Sequence, residues 1–229
     1  MNRLLIAGLS LLLHSCQSDF EYQVQAVRND LIKVDGTLTE PIWQESQAFS
    51  RFVNPWRKEV SPESSLRMLC DSTHLYFSFE VADTNIIALP SLSDERGVEK
   101  EDRVELFFSK DKDMHEYYCF EIDARGRVLS YRAQHYRKLD FSWDVPADFK
   151  VAARINDGGY TVEGGIPLSF LNTLGENGTC YLGAYRAEFY ERNQTVVEEW
   201  LTWKDPKTPQ PDFHVPTSLG KLVWMTPNK

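Results

Sequence analysis

Strict alternation of apolar and polar residues is the feature that most constrains this chain. In residues 74–81, Leu75, Phe77, Phe79 and Val81 fall on one side and Tyr76, Ser78 and Glu80 on the other. Successive side chains of a strand project to opposite faces, so this stretch predicts a strand with one buried face. Residues 103–108 repeat the pattern with Val104, Leu106 and Phe108 inward, and 117–123 with Tyr118, Phe120 and Ile122 inward. Further strands are expected over 31–34, 65–71, 127–135, 149–155, 160–166, 181–190, 198–203 and 219–224. Turn signals separate them: Asp35-Gly36, Asp157-Gly158-Gly159, Asn177-Gly178 and the proline-rich stretch 206–216. Helix is scarce, with one short helix expected over 41–48 behind Pro41 and a single turn over 169–174. Many strands, few helices and no β–α alternation predict an all-β antiparallel sandwich of jelly-roll type.

Composition narrows the class of partner. The 229 residues carry a formal net charge of −9 and no basic stripe, which argues against nucleic acid. Aromatic residues are 13% of the chain, a rich share, most of it expected in the core and some as a stacking surface.

The N-terminus reads as an export signal. Asn2 and Arg3 precede an apolar run, Leu4 to Leu13, too short to span a bilayer and about the length of a signal-peptide core. The run ends in Leu13-His14-Ser15-Cys16, which resembles a bacterial lipoprotein cleavage box. The resemblance implies removal of 1–15, acylation of Cys16 and a polar tether over 16–25; with no composition break inside 26–229, that stretch is expected to be one domain. It also implies placement at the outer membrane or surface of a Gram-negative cell, with the lipid anchor holding the protein to the membrane. An exported protein can pair two of Cys70, Cys119 and Cys180, but which two, or none, is open at the level of sequence.

A series of short motifs, in order, is similar to the family nine carbohydrate-binding modules and the DOMON-like sandwiches around them. The series opens with Ile32-Lys33-Val34-Asp35-Gly36, then Glu40 and Trp43. It continues with Leu75-Tyr76 and Asp83, Asp102-Arg103-Val104-Glu105-Leu106-Phe107-Phe108, and Tyr118 to Gly126. Gly159-Tyr160-Thr161-Val162-Glu163 with Ile166-Pro167 follows, then Trp203-Lys204-Asp205-Pro206, Phe213-His214 with Pro216, and Leu219-Gly220-Lys221-Leu222. The resemblance spans nearly all of 26–229 and implies a non-catalytic module that binds a mono- or oligosaccharide or the end of a polysaccharide.

The resemblance also implies site residues. Glu105, Glu121 and Asp123 would be polar contacts on their strands, Arg186 a contact on the strand after the Gly159–Glu163 hairpin, and Phe213 a stacking ring. The sequence departs from the family where a second stacking aromatic is expected, since Gly97-Val98-Glu99-Lys100 has none. Trp56 and Trp143, both in expected loops, are candidates to replace it. Trp43 and Trp203 are expected in the core. Family members carry structural calcium in loops, and Asp83, Asp94 and Asp102 are the oxygen donors this would use here.

The same residues bear on other classes of function. A glycosidase needs two carboxylates across a cleft, whereas Asp102 and Glu105, three apart on a strand, point to opposite faces. No nucleophile elbow, P-loop or HExxH site is present. A haem b carrier would draw on Met68, Met114, His74, His115 and His214. An envelope assembly subunit that keeps the sandwich and has lost the sugar site is the remaining alternative.

Overall fold

The computed structural model describes residues 20–57, 62–175 and 178–225. Cys16 and the cleavage box lie outside the described residues. In chain order the elements are β1 (Glu21–Ala26), α1 (Pro41–Glu45), β2 (Ala48–Phe49), β3 (Ser64–Cys70), β4 (His74–Ala82), a 3-10 segment (Glu95–Lys100), β5 (Arg103–Ser109), β6 (Tyr117–Asp123) and β7 (Val128–Gln134). Then come β8 (Lys138–Asp140), β9 (Lys150–Asn156), β10 (Gly159–Pro167), α2 (Leu168–Leu174), β11 (Thr179–Arg192), β12 (Thr195–Thr202), a 3-10 turn (Pro216–Ser218) and β13 (Gly220–Trp224).

The strands form two layers joined at a corner. One layer runs β8-β7-β6-β5-β11-β13, with β12 paired to the far half of β11. The other runs β3-β4-β10-β9, with β2 on β3. β1 belongs to both: Glu21 to Val24 pair in parallel with β13, and Gln25 and Ala26 pair in parallel with β3. A strand that changes partner in this way is how a sandwich turns its corner. The sandwich is as expected, and its ladders are antiparallel except at β1.

Two departures have local causes. The stretch expected as the end of a tether instead supplies β1, because Tyr22 and Val24 alternate with Glu21, Gln23 and Gln25 and bury on one side. The strand expected over 31–34 does not form. There the backbone is held by side chains: Lys33 N donates to Glu40 Oε1 at 3.2 Å, and Asp35 N and Gly36 N donate to Glu163 Oε2 at 2.8 and 2.9 Å. Trp43 Nε1 donates to the other oxygen of the same carboxylate at 3.0 Å. The opening Asp-Gly…Trp motif and the Val-Glu of the β10 hairpin are thus one structural joint. Gly36 suits it because its φ is +79° and a Cβ there would sit 3.1 Å from the Ala153 backbone.

Between the layers lies the main core. Leu66, Met68, Phe77 and Phe79 from one sheet face Val104, Leu106, Phe108, Phe120, Ile122, Leu182 and Ala184 from the other. Trp43 and Trp203 are buried, as expected. Cys70 and Cys180 sit in this core and Cys119 on the other side of its sheet, and all three are free thiols. Alternation alone gave β5 and β6 one buried face, but every residue of β5 is buried. The outer face carries a second core of Phe107, Tyr117, Cys119, Leu129, Tyr131 and Tyr185, roofed by Phe213, Leu219, Met114 and Val98. This roof of loops, laid over a sheet face that sequence left to solvent, creates the site.

Candidate functional site

A cavity of about 470 Å³ lies between this sheet face and the loops that cover it. Its floor is the outer face of the first layer: Arg103 and Glu105 from β5, Glu121 from β6 and Tyr131 from β7. Glu105 and Glu121 are directly paired across the β5–β6 ladder, so both carboxyls emerge side by side. The walls are Trp200 from β12, Glu99 from the 3-10 segment, Arg137 and Leu139 from the β7–β8 hairpin, and Pro211 to His214 from the proline-rich loop.

Arg103 is the centre of the floor. Its Nη1 donates to the carbonyls of Glu99 at 2.9 Å and Glu101 at 3.4 Å. Its Nε lies 2.9 Å from Glu105 Oε1 and 2.8 Å from Glu121 Oε2. A single N–H cannot align with two carboxylates at once, and neither oxygen gains a well-formed hydrogen bond among the described residues. Tyr131 donates its hydroxyl to the other oxygen of Glu121 at 2.7 Å. Burial and the adjacent Glu121 push the Glu105 carboxyl up to about 8, against the downward pull of Arg103.

Aromatic surface surrounds this polar centre. Phe213 stacks on Tyr185 with ring centroids 4.1 Å apart and nearly parallel planes, and Trp200 meets Phe213 edge-on at 5.7 Å. His214 accepts or donates at 2.8 Å to the Tyr117 hydroxyl, and burial pushes its imidazole down to about 3, so it is neutral at neutral pH. Arg137 pairs with Asp212 at 2.9 Å and tethers the loop that carries Phe213. Trp200 and Pro211 also wall a neighbouring cavity of about 430 Å³, which Trp56 and Arg57 line.

Of the residues expected from sequence, the structure brings Glu105, Glu121 and Phe213 together here. Trp56 stands beside them: its ring lies 6.2 Å from Phe213 and its Nε1 donates to Thr208 O at 3.0 Å. Asp123, Arg186 and Trp143 are elsewhere. Asp123 turns to Arg127, with Oδ2 2.5 Å from Arg127 Nε, and caps the β6–β7 turn. Trp143 packs on Tyr118, Phe120 and Phe170. Arg186 points to the opposite side of its strand, as its neighbours Leu182 and Ala184 do, and is fully buried. It meets Asp83 at 3.2 Å, Ser64 Oγ at 3.1 Å and Glu188.

The calcium donors divide in the same way. Asp83 and Asp102 do converge, with Glu188 as the third carboxylate, each offering an oxygen within 4.8 Å of the others, but Asp94 is not among them. Asp94 precedes the exposed start of the 3-10 segment. The cationic partner in this cluster is the Arg186 guanidinium, and Asp102 is satisfied by the backbone N–H groups of Phe189 at 2.8 Å and Ile87 at 2.5 Å. These residues therefore fit an internal ion pair better than a metal. The residues a haem would need are dispersed: Met68 is in the main core, Met114 is in the outer core, and His115 is exposed.

Sequence reasoning missed Arg103, Tyr131, Trp200 and Arg137. Arg103 was within reach, because it lies two residues from Glu105 and so shares its face. Tyr131 required the β6–β7 register, and Trp200 and Arg137 required the loop path.

Residues 34–225 match the family described as Carbohydrate family 9 binding domain-like. The chain belongs to that family. Among solved structures, this family nine domain is similar to a candidate carbohydrate-binding protein of Bacteroides uniformis ATCC 8492, with TM-score 0.69 and 18% identity over 91% of this chain and 100% of that one. It is also similar to a family nine carbohydrate-binding module of Caldicellulosiruptor kristjanssonii. The glucose complex of that module gives TM-score 0.63 at 14% identity over 91% of this chain and 97% of that one. The cellotriose complex gives 0.63 at 15% identity over 91% and 95%. No curated protein matches the chain. At these identities the structural likeness speaks to the fold.

Proposed function

We propose that this protein is a non-catalytic carbohydrate binder that holds a sugar in the cavity above Arg103. The observation that carries the reading is the pairing of buried, incompletely satisfied carboxylates with flat rings in one enclosure. Glu105 and Glu121 offer acceptors for sugar hydroxyls, while Trp200, Tyr131 and Phe213 offer apolar faces for the C–H side of a pyranose. Family membership supports the same reading, as do the ligands named for the Caldicellulosiruptor kristjanssonii module.

Hydrolysis is disfavoured by geometry. Glycosidases place their two carboxyls on opposite sides of the scissile bond. Here both rise from adjacent paired positions and flank one guanidinium. The direct test is calorimetric titration with mono- and oligosaccharides, repeated with Glu105→Ala. Saturable binding that the substitution weakens at least tenfold is expected; no binding throughout, or binding indifferent to the substitution, overturns the site. Release of reducing sugar from a glycan panel would overturn the non-catalytic reading.

The proposal includes display at the cell envelope, through a lipid on Cys16 and membrane insertion of that lipid. Its support is the Leu13-His14-Ser15-Cys16 box after an apolar run. Labelled palmitate should enter the wild-type protein in a Gram-negative host and not the Cys16→Ser variant, and equal labelling of both would refute the anchor.

A further inference from the structure

The cavity above Arg103 does not stand alone. Two of its walls, Trp200 and Pro211, are also walls of the neighbouring cavity of about 430 Å³. The contents of the two cavities are therefore neighbours across single side chains. Volumes of about 470 and 430 Å³ lie in the lower part of the roughly 300–1,000 Å³ span of small-ligand sites, so each cavity suits one compact unit. Compact units joined one to the next are what an oligosaccharide presents.

The second cavity has the mixed lining that a sugar ring requires. Trp56, from the loop after β2, and Trp200 and Val196, from β12, give it apolar surface, while Asn54, Arg57 and Glu198 give it polar groups. Both indoles are held in place by other parts of the chain. Trp56 donates Nε1 to Thr208 O at 3.0 Å, in the same proline-rich loop that carries Pro211. Trp200 has the Arg103 guanidinium 5.5 Å from its ring centre and meets Phe189 and Phe213 at steep angles. A ring fixed in advance loses little conformational freedom when a ligand stacks on it. The polar groups remain within a ligand's reach: Arg57 gives one N–H to Glu199 at 2.9 Å with its side chain 40% exposed, and Glu198 is exposed. Trp56 does not line the cavity above Arg103, so a sugar held there alone leaves this second ring and its polar neighbours without a role.

We propose that the ligand is an oligosaccharide and not a single sugar, with adjoining units in the two cavities and Trp200 between them. The proposal rests on the carbohydrate-binding reading above and names the size class of ligand within it. One unit occupies the cavity above Arg103. The next stacks on Trp56 and offers its hydroxyls to Asn54, Arg57 and Glu198.

The test is calorimetric titration of the wild-type protein with glucose, cellobiose and cellotriose, and with the matching mono-, di- and trisaccharides of xylose, mannose and galactose. In a series that binds, the disaccharide is expected to bind about tenfold more tightly than the monosaccharide, the size of one added stacking contact with its hydrogen bonds. The trisaccharide should gain no more than about threefold again, because the third unit meets no further cavity wall. Val196→Arg, at a position 51% exposed, fills the second cavity from its rim and should bring the ratio of disaccharide to monosaccharide affinity down to about one, as should Trp56→Ala. A ratio near one in the wild-type protein, or a ratio that both substitutions leave at its wild-type value, would overturn the second subsite and leave the sugar-binding reading standing. A second tenfold gain at the trisaccharide would overturn the count of two units. Absence of binding by every series would overturn the sugar-binding reading as well. Should Trp56→Ala fail to fold, Val196→Arg, which changes only an exposed side chain, decides the matter with the wild-type length series.

Discussion

Two arginines in this protein sit among buried carboxylates, and they have opposite fates. Arg186, on the inner side of β11, is enclosed by Asp83, Glu188 and the Ser64 hydroxyl, with Asp102 close by. Arg103, on the outer side of β5, meets Glu105 and Glu121 under a cavity. The residue types are the same. What differs is the covering: a second sheet and its loops close over Arg186, while beside Arg103 a cavity remains and two carboxyl oxygens are left without a well-formed hydrogen bond. A buried ion pair becomes a joint where protein completes it and a candidate binding site where protein stops short.

Truncating each arginine should separate these roles most sharply. Arg186→Leu leaves several carboxylates without a counter-charge in a closed space, so a loss of about 3–5 kcal/mol is expected in urea unfolding. Arg103→Leu leaves its pair facing a cavity where a proton or water relieves them, so about 1–3 kcal/mol is expected, together with loss of sugar binding. Equal losses of stability, or binding untouched by Arg103→Leu, would break the comparison.

The tryptophans offer the next contrast. Trp143 packs half-buried on Tyr118, Phe120 and Phe170, and Trp143→Ala should cost about 2 kcal/mol without changing affinity. Trp200→Ala should do the reverse, lowering affinity about tenfold with a smaller effect on the unfolding midpoint. Calorimetric titration beside thermal unfolding reads both.

Both clusters also hold an acid whose proton binds tightly in the fold. Burial raises Asp102 to about 7, and burial with Glu121 raises Glu105 to about 8. Each contributes stability that is fully present below its unfolded-state value of about 4 and is lost as pH rises through its folded value, because the native state then holds the extra proton. His214, lowered to about 3, has the opposite sense: its contribution is present above about 6.5 and is lost as pH falls towards 3. Stability measured from pH 5 to 9 should decline by a few kcal/mol, with Glu105→Gln removing the upper part of the slope and Asp102→Asn the lower. A slope unaltered by both variants would contradict the burial argument. The smallest effect belongs to Asp94→Ala, at an exposed position outside both clusters, where unchanged affinity and an unchanged melting temperature are expected.

Much of the site was legible because alternation is a geometric rule. It puts Glu105 opposite the core-facing Val104 and Leu106, and Glu121 opposite Phe120 and Ile122. The same rule places Arg186 with Leu182 and Ala184 on the inner face, and carrying a family role onto Arg186 ran against it. Phe213 was reached through the proline-rich motif, whereas Trp200 lay unremarked inside an expected strand. The opening motif proved architectural, since Asp35, Gly36 and Trp43 meet the Glu163 carboxylate, whereas the motifs over 102–108, 118–126 and 213–216 supply cavity residues.

By itself the sequence determined the β-sandwich, most of its strands, and which side of those strands faces the main core, since these follow from a period of two and from turn chemistry that acts over a few residues. Tertiary structure alone decided which polar side is covered. β5 and β6 are buried on both faces because the loops carrying Phe213, Leu219 and Val98 fold across them. Whether a carboxylate beside an arginine ends in a joint or in a cavity depends on chain segments far away in sequence, and no local periodicity records their path.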